Sequence, residues 1–244
     1  MIIQYASDLH LEFVQNPLKY FPIKKNGDIL ILAGDVTNIE YRKDKDYQPF
    51  FDMLSKEFEQ VYWIPGNHEY YGTTLEINPI YEEIRNNIFL LNNRTVTIEG
   101  IKFIFSTMWS KINPIFYSAI KNTYKDFVNI NGLDIGIYNH AHETSLSFIK
   151  ESLGGNNRNT VVVTHHVPTF IKYPKEYRDS FLKSAFHTDL TDLIKETNPY
   201  AWIYGHHHVN VNEFFINETK LLTNQMGYYD KPCLGFDPQK NIKI

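Results

Sequence analysis

The sequence has very little cysteine and no long hydrophobic run. Cys233 is the single cysteine among 244 residues, which excludes an internal disulfide and is typical of a reducing compartment. No stretch approaches the roughly 18 apolar residues of a transmembrane helix, and the few apolar residues before Asp8 are too short for the core of a signal peptide. We therefore expect a cytoplasmic protein that does not bind membranes.

The sequence also lacks an excess of positive charge. Its formal net charge is -4 and its pI is about 6.2, whereas proteins that neutralise many phosphates of a nucleic acid carry clustered Lys and Arg. This charge disfavours nucleic acid as a partner without excluding it. A small anionic substrate held by metal ions remains fully compatible with it.

No linker rich in Pro, Ser or Gly divides the chain, and 43% of its residues are hydrophobic, so we expect one domain with a sizeable core. Strand and helix patterns occur along the whole chain, which indicates an α/β fold. We predict strands at 1–6, 29–33, 61–64, 95–98, 101–106, 160–164, 200–204, 211–215 and 220–223. We predict helices at 49–58, 79–88, 146–153 and 189–196, and a terminal loop at 224–230.

The strand at 29–33 ends abruptly in a glycine and a carboxylate. Its five apolar residues show no alternation, which is typical of a parallel strand that is buried on both faces. Gly34 then allows a tight turn, and Asp35 lies at the carboxyl end of the strand, where open α/β sheets bind their ligands. We expect Asp35 to bridge two metal ions there. The alternative is that Asp35 only caps the following helix.

Side chains of the metal-binding type follow five of the predicted strands. They are Asp8 and His10, Asp35, Asn67 and His68, His165 and His166, and His206 and His208. A single histidine after a strand is more often an ordinary surface or core residue, but five successive strand ends would converge on one edge of a sheet. Carboxylate and imidazole groups without cysteine select divalent ions such as Mn, Fe, Zn or Ni. Of these ions we expect Mn, with Mg as a further alternative.

The same residues resemble the motifs of the calcineurin-like metallophosphoesterases. That family has the ordered pattern Asp-x-His, Gly-Asp, Gly-Asn-His-Asp/Glu, His and Gly-His-x-His, which this sequence contains from Asp8 to His208. It is most similar to the bacterial type, in which the fourth motif reads Thr-His-His-x-Pro. The resemblance covers nearly the whole chain and implies one phosphoesterase domain over 1–244.

The resemblance implies a four-layer α/β/β/α sandwich of two mixed sheets, with a dinuclear metal site at the carboxyl ends of the strands. The implied ligands of the first metal are Asp8, His10 and His208. The implied ligands of the second metal are Asn67, His165 and His206, and Asp35 bridges the two. His68 is implied as the acid for the leaving group or as a phosphate ligand, and Glu69 as a residue that orients a neighbouring ligand.

Two histidine assignments remain open at the level of the sequence. Either His165 or His166 could be the ligand in the fourth motif, and we favour His165 because it is the first residue past the strand. His207 lies between two implied ligands and should point away from them. We therefore expect His207 to be a surface residue.

The segment 110–139 is a loop-rich, aromatic insertion. Long insertions of this kind often form a lid or a wall of the substrate site, and Phe116, Tyr117, Tyr124 and Phe127 are its candidate contacts. The alternative is a helical decoration that packs on its own aromatic residues. If the insertion borders the site, Phe116, Tyr117 and Tyr124 could stack on a nucleobase.

The resemblance implies hydrolysis of a phosphoester by a hydroxide that two metal ions activate. Two divalent ions, two carboxylates and one hydroxide leave a charge of roughly +1, which suits a phosphodiester monoanion. A phosphomonoester dianion would need another cation. No arginine precedes Gly66, and Gln225 and Met226 stand where close relatives have arginine before Gly-Tyr, although Lys111, Lys121 or Lys125 could serve instead.

We therefore expect a metal-dependent phosphodiesterase that acts on a small phosphoester. The alternatives of the same chemistry are a phosphomonoesterase and a nuclease, of which the nuclease is disfavoured by the acidic net charge. A scaffold without enzymatic activity is the remaining alternative. The full set of candidate ligands, together with His68, argues against a scaffold.

Overall fold

The structure, a computed structural model, describes residues 1–175 and 180–244. Its first mixed sheet has the strand order β14-β1-β2-β3-β5-β4. These strands are β1 (Ile2–Ala6), β2 (Ile29–Ala33), β3 (Gln60–Ile64), β4 (Ile80–Arg85), β5 (Ile88–Asn92) and β14 (Asn241–Lys243). Because β1, β2, β3 and β5 are parallel, their carboxyl ends lie at one edge of the sheet.

The second mixed sheet has the order β10-β11-β9-β8-β7-β6. Its strands are β6 (Arg94–Ile98), β7 (Ile101–Ser106), β8 (Thr160–Thr164), β9 (Ala201–Ile203), β10 (Phe214–Ile216) and β11 (Thr219–Leu222). Here β7, β8, β9 and β11 are parallel. A short hairpin, β12 (Gly227–Tyr228) and β13 (Lys231–Pro232), lies outside both sheets.

The helices lie outside the two sheets, and the implied four-layer sandwich is confirmed. They are α1 (Pro17–Tyr20), α2 (Gln48–Glu57), α3 (Tyr117–Thr123), α4 (Asp126–Asn129), α5 (Ile135–Ser152), α6 (Lys183–Phe186) and α7 (Thr191–Thr197). Short 3-10 turns span Leu11–Phe13, Ile39–Lys43, His68–Tyr70 and Pro114–Phe116. Among the described residues, no helix is both long and apolar enough to cross a membrane.

Three apolar clusters hold the layers together. The cluster between the sheets contains Ile31 from β2 and Phe105 from β7, while α2 and α5 pack on the outer faces of the first and second sheet. All five residues of β2 are buried, because one face meets the opposite sheet and the other face meets α2. This confirms the interpretation of its continuous apolar run.

The predicted helix at 79–88 is wrong. This segment forms the strands β4 and β5, which pair antiparallel, with Ile80 opposite Asn92. Ile80, Ile84 and Ile88 are spaced by four residues, a spacing that fits one face of a helix and also one face of a strand, since four is a multiple of two. The alternating exposure along β4 follows the strand period, and Asn86 and Asn87 form the turn.

The chain after residue 224 is more ordered than the predicted terminal loop. Gln225 forms an isolated bridge with Ser7, and β12 and β13 then form a hairpin. Finally β14 pairs antiparallel with β1, with Ile2 opposite Lys243. The C-terminal segment thus adds an edge strand to the first sheet and brings Gln225 next to the end of β1.

The insertion at 110–139 is helical. It contains α3, α4 and the start of α5, which corresponds to the helical decoration among the two alternatives. Tyr117 packs against Phe127, with ring centroids 5.7 Å apart, and Phe127 packs against Tyr138 at 5.9 Å. The insertion nevertheless reaches the candidate site, because Tyr124 and Asp126 are buried there.

Candidate metal centre

The five strand ends that carry candidate ligands meet at one place, as the sequence pattern predicts. Several of these residues have left-handed backbone conformations that side chains other than glycine rarely adopt. They are Asp8, His10, Asp35, His206 and His208. Such strained conformations cluster at functional sites. Here the backbone turns sharply at the strand ends, so that the side chains of successive candidate ligands point to a common position.

The first cluster of ligand atoms contains Asp8, His10, Asp35 and His208, with the atoms within 4.8 Å of one another. His10 Nε2 lies 3.0 Å from His208 Nε2 and 3.8 Å from Asp35 Oδ2. His208 Nε2 lies 3.4 Å from Asp8 Oδ1. These are the three implied ligands of the first metal, together with the implied bridging carboxylate.

The second cluster contains Asp35, His165 and His206. His165 Nε2 lies 3.4 Å from Asp35 Oδ1 and 3.1 Å from His206 Nδ1. Asn67 adds its amide oxygen, 3.2 Å from His165 Nε2. Asp35 belongs to both clusters and offers a different oxygen to each, as a bridging ligand would.

These residues fit two divalent ions. Asp8 and Asp35 are at most 2% exposed, and buried carboxylates need a cation or an equivalent set of hydrogen bonds. Glycines make room for the ligands, since a Cβ atom at Gly66 would meet His165 Nε2 at 2.7 Å and one at Gly205 would meet Asp8 Oδ2 at 2.6 Å. The donor set of carboxylate, amide and imidazole suits intermediate divalent metals.

The electrostatics of the site also point to bound cations. Burial by itself raises the pKa of Asp35, but His165 and His68 outweigh burial and hold this pKa well below its usual range. Burial lowers the pKa of His165, yet Asp35 outweighs it and raises this pKa to about 10. Protons on histidines thus balance the carboxylates, and divalent ions that bind here would displace such protons.

The structure brings His165, rather than His166, into the ligand cluster. His166 Nε2 lies 3.4 Å from the Tyr138 hydroxyl, and the His166 ring packs against Trp109, with centroids 5.1 Å apart. Burial lowers the pKa of His166 well below its usual value. Its position is that of a neutral residue that packs behind the ligands.

The expectation that His207 is a surface residue is wrong. Its side chain is 8% exposed, stacks on Tyr173 with centroids 5.8 Å apart, and has its Nδ1 atom 3.0 Å from Gln225 Nε2. Tyr173 and Gln225 come from distant segments, so the local sequence gives no sign of this burial. His207 is absent from both clusters of ligand atoms.

His68 and Glu69 lie directly beside the ligands. The backbone N–H of His68 donates to Asp35 Oδ1 at 3.0 Å. Glu69 accepts hydrogen bonds from the backbone N–H groups of Asp35, Val36 and Gly66 at 2.7 to 2.9 Å. Glu69 therefore fixes the turn that carries Asp35, and it does so through the backbone.

Three further residues were not predicted to act at the site. Glu12 lies beside both His10 and His68, and its only sequence signal is its position two residues after His10. Asp126 contacts Asn67 but lies in the insertion, outside every motif. Gln225 was noted only as a replacement for arginine, yet it is fully buried and accepts from the backbone N–H of His208 at 2.8 Å.

A cavity of about 410 Å³ opens over the two clusters. Its wall contains aromatic side chains from separate parts of the chain and two lysines, Lys125 and Lys183. The aromatic residues are Tyr71, Tyr124, Tyr173, Phe186 and Tyr228. Of the three insertion residues considered for stacking, Tyr124 lines the cavity, while Phe116 and Tyr117 are not among its lining residues.

Fold and site together are those of a metal-dependent hydrolase with two candidate metal positions. A family model described as calcineurin-like phosphoesterase matches residues 3–210, and the chain therefore belongs to the calcineurin-like phosphoesterase family, whose members use two metal ions. The protein is thus a hydrolase that acts on phosphoester bonds. The resemblance found in its motifs is confirmed.

Similar proteins come from a virus and from bacteria. The whole chain is 31% identical to Uncharacterized protein L509 of Acanthamoeba polyphaga mimivirus, of which the match covers 96%. It is 26% identical to 3',5'-cyclic adenosine monophosphate phosphodiesterase CpdA of Haemophilus influenzae, over 76% of this chain and 56% of that protein. The phosphopantetheinyl hydrolase PptH of Mycobacterium tuberculosis shares the fold, with a TM-score of 0.69, 18% identity and coverage of 93% and 89% of the two chains.

Proposed function

We propose that the protein is a phosphodiesterase that hydrolyses a small, nucleotide-like phosphodiester. The observation that carries this proposal is the lack of a guanidinium group in the part of the cavity wall that the structure describes. Among the described residues that line the cavity there is no arginine. Gln225 and Met226, which stand where close relatives have arginine before Gly-Tyr, are both neutral. The Nε2 atom of Gln225 donates to the Val209 carbonyl at 2.9 Å, so this side chain holds the loop that follows the histidine ligands.

The charge of the loaded site suits a monoanion. Two divalent ions, the carboxylates of Asp8 and Asp35 and an attacking hydroxide sum to roughly +1. Glu12 adds a negative charge, but it lies 2.9 Å from His68 Nδ1. Burial lowers the pKa of the His68 imidazole, yet Asp35 and Glu12 outweigh burial and raise this pKa to about 9. A protonated His68 would make its pair with Glu12 neutral. Counted over the ions and the groups that touch them, without Asp126 and the lysines of the cavity wall, the charge favours a singly charged phosphodiester.

The name of one relative supports the same substrate class. The Haemophilus protein that is 26% identical to this chain is named as a phosphodiesterase of a cyclic nucleotide. The aromatic wall of the cavity supports a substrate with a planar group, because an aromatic side chain can stack on the face of a nucleobase. Tyr228, which is 37% exposed at the mouth of the site, is the best placed of these side chains.

The residues then have distinct roles. Asp8, His10 and His208 would hold one metal, Asn67, His165 and His206 the other, and Asp35 both. The ions, which we expect to be Mn²⁺, would supply Lewis acidity and make water a nucleophile at neutral pH. His68 donates a proton or a hydrogen bond to the leaving oxygen as its bond to phosphorus breaks.

A phosphomonoesterase is the second candidate, and one observation favours it. Lys125 and Lys183 line the cavity, and a lysine there could compensate the second charge of a monoester. Of the other two lysines considered, Lys111 is paired with Glu143 and Lys121 lies over the Tyr117 ring, and neither is among the lining residues.

A direct comparison of two substrates tests the proposal. Protein purified without chelator is assayed with added Mn²⁺ on bis-p-nitrophenyl phosphate and on p-nitrophenyl phosphate. We expect a higher kcat/KM for the diester, and little inhibition by single-stranded DNA. A higher kcat/KM for the monoester would overturn the phosphodiester proposal, and strong competition by the DNA would favour a nuclease.

A further inference from the structure

We propose that Asp126 sets the orientation of the Asn67 side chain, so that Asn67 offers its amide oxygen, and not its amide nitrogen, to the second metal. This inference rests on the proposed function of the site as a metal centre. It assigns Asp126 as a positioning residue, which acts on the metal only through Asn67.

The contacts of Asp126 are specific. Its Oδ1 atom accepts a hydrogen bond from Asn67 Nδ2 at 2.8 Å and another from the Tyr71 hydroxyl at 2.9 Å. At the other end of the same amide, Asn67 Oδ1 lies 3.2 Å from His165 Nε2, within the second cluster. Asn67 thus bridges Asp126 and the candidate metal position with opposite ends of one planar group.

The chemistry of the two groups determines the direction of the bridge. An ionised carboxylate only accepts hydrogen bonds, whereas an amide has a donating nitrogen and an accepting oxygen of nearly the same size and shape. Facing Asp126, the amide must therefore present its nitrogen, which leaves its oxygen for the cation. Without the carboxylate, a rotation by 180° about the last side-chain bond would turn the NH₂ group towards the metal and remove a ligand.

The burial of Asp126 shows that the carboxylate is not an incidental feature of the insertion. Asp126 begins the short helix α4 and is fully buried. Its second oxygen, Oδ2, is buried without a hydrogen bond among the described residues, and burying such a group is unfavourable unless it is compensated. The hydrogen bonds that Asp126 accepts from Asn67 and from the Tyr71 hydroxyl are the compensation that the structure shows for this buried carboxylate.

This inference gives the insertion a role that differs from a lid. Asp126 lies 59 residues after Asn67 in the chain and reaches it from outside the two sheets. The second metal position therefore depends on a residue that none of the strand-end motifs contains. Orienting partners of this kind typically change metal affinity about 10-fold to 100-fold when they are replaced.

The test compares metal binding by four proteins: the wild type, Asp126→Asn, the double variant Asn67→Asp/Asp126→Asn, and the control Val128→Ala. Asp126→Asn keeps the shape of the side chain but can face Asn67 with either end of its amide. The double variant exchanges the two groups, so that position 67 has only oxygens to offer and position 126 can donate to it. Val128 is 72% exposed on the same helix. Binding of Mn²⁺ is measured by calorimetry, with circular dichroism as the check on folding.

We expect two Mn²⁺ ions per chain in the wild type and in Val128→Ala. In Asp126→Asn, the affinity for one ion should fall about 10-fold to 100-fold, with the other ion bound as before, and the double variant should recover most of this loss. Unchanged affinity for both ions in Asp126→Asn would overturn the inference and leave the metal centre intact. A loss that the double variant does not recover would also overturn it. A wild type that binds no divalent ion would contradict the metal centre itself.

Discussion

Glu12 Oε1 lies 2.9 Å from Nδ1 of His68, so the carboxylate fixes the imidazole in one orientation. Because the carboxylate accepts the Nδ1 proton, the Nε2 atom of His68 is left to exchange a proton with a substrate. The same Glu12 oxygen lies 3.1 Å from Nδ1 of His10, an implied metal ligand. One acidic residue therefore orients both an implied ligand and the implied acid.

Replacing Glu12 by glutamine should lower kcat about 10-fold to 100-fold, which is the usual effect of losing a carboxylate that orients a catalytic or metal-binding histidine. The amide keeps the size of the side chain but is a weaker acceptor, and it cannot balance a protonated imidazole. Steady-state kinetics on bis-p-nitrophenyl phosphate measure the effect. Glu57→Gln, at an exposed position on α2, is the control, and an equal kcat in both variants would contradict this role of Glu12.

Replacing His68 by alanine distinguishes its two implied roles. A general acid contributes about 10²-fold to 10⁴-fold to the rate, and it matters most for a leaving group that is a poor anion. We expect His68→Ala to lose more activity on a diester with an alkyl leaving group than on one with p-nitrophenol, while metal content stays unchanged. The same loss on both diesters would instead favour a phosphate ligand.

The aromatic side chains at the opening of the site lead to a prediction about substrate binding. Tyr228 packs over His10 with ring centroids 4.6 Å apart, and Phe13, which is 62% exposed, lies 5.7 Å from the Tyr228 ring. One lost ring stack is worth about 1 to 3 kcal/mol, so Tyr228→Ala should raise KM for an aryl diester at least about 5-fold. Phe116→Ala, which is outside the cavity lining, is the control. An unchanged KM in Tyr228→Ala would exclude stacking on this side chain.

A buried histidine away from the metal centre should make stability depend on pH. His142 is 2% exposed, its Nδ1 atom lies 2.7 Å from the Trp109 carbonyl, and burial lowers its pKa below the usual 6.5. Below pH 6.5 the unfolded chain binds a proton at His142 that the folded chain does not bind. The contribution of His142 to the free energy of unfolding should therefore fall as the pH decreases from 7.5 to 5.5.

The variant His142→Gln isolates this contribution. We expect the free energy of unfolding of the wild type to fall relative to that of this variant as the pH decreases from 7.5 to 5.5, as measured by urea unfolding with chelator present. His140→Gln, at an exposed position on the same helix, controls for the general effect of replacing a histidine there. A pH dependence in His142→Gln as steep as in the wild type would show that other groups cause it.

The sequence predicts most of the residues of the two candidate ligand clusters because these residues follow a local rule. Asp35 and His165 each come at or near the end of a strand whose unbroken apolar run can be recognised in the sequence, and parallel strands bring such ends together. The helix predicted at 79–88 is wrong because a spacing of four residues fits both the helix period and the strand period. Pairing with β5 makes the segment a strand. Local sequence patterns therefore identify a strand that is buried along its whole length. They fail for a segment whose conformation depends on pairing with a neighbouring strand.

The supporting residues could not be predicted for a different reason. Asp126 lies at the start of a helix of four residues, and His207 is buried by Tyr173 and Gln225, which are distant in the chain. Their positions depend on contacts that form only when the two sheets and the insertion come together. A single sequence contains no periodic pattern or motif for such contacts.

The most direct measurement is the metal content of the wild type and of Asp35→Asn, determined by elemental analysis after both proteins are loaded with excess Mn²⁺ and dialysed to remove unbound ions. Because Asp35 offers one oxygen to each cluster, we expect about two ions per chain in the wild type. The variant should retain at most one ion and lose hydrolysis of bis-p-nitrophenyl phosphate. A wild type without bound metal, or a variant that keeps both ions and its turnover, would contradict a dinuclear centre bridged by Asp35.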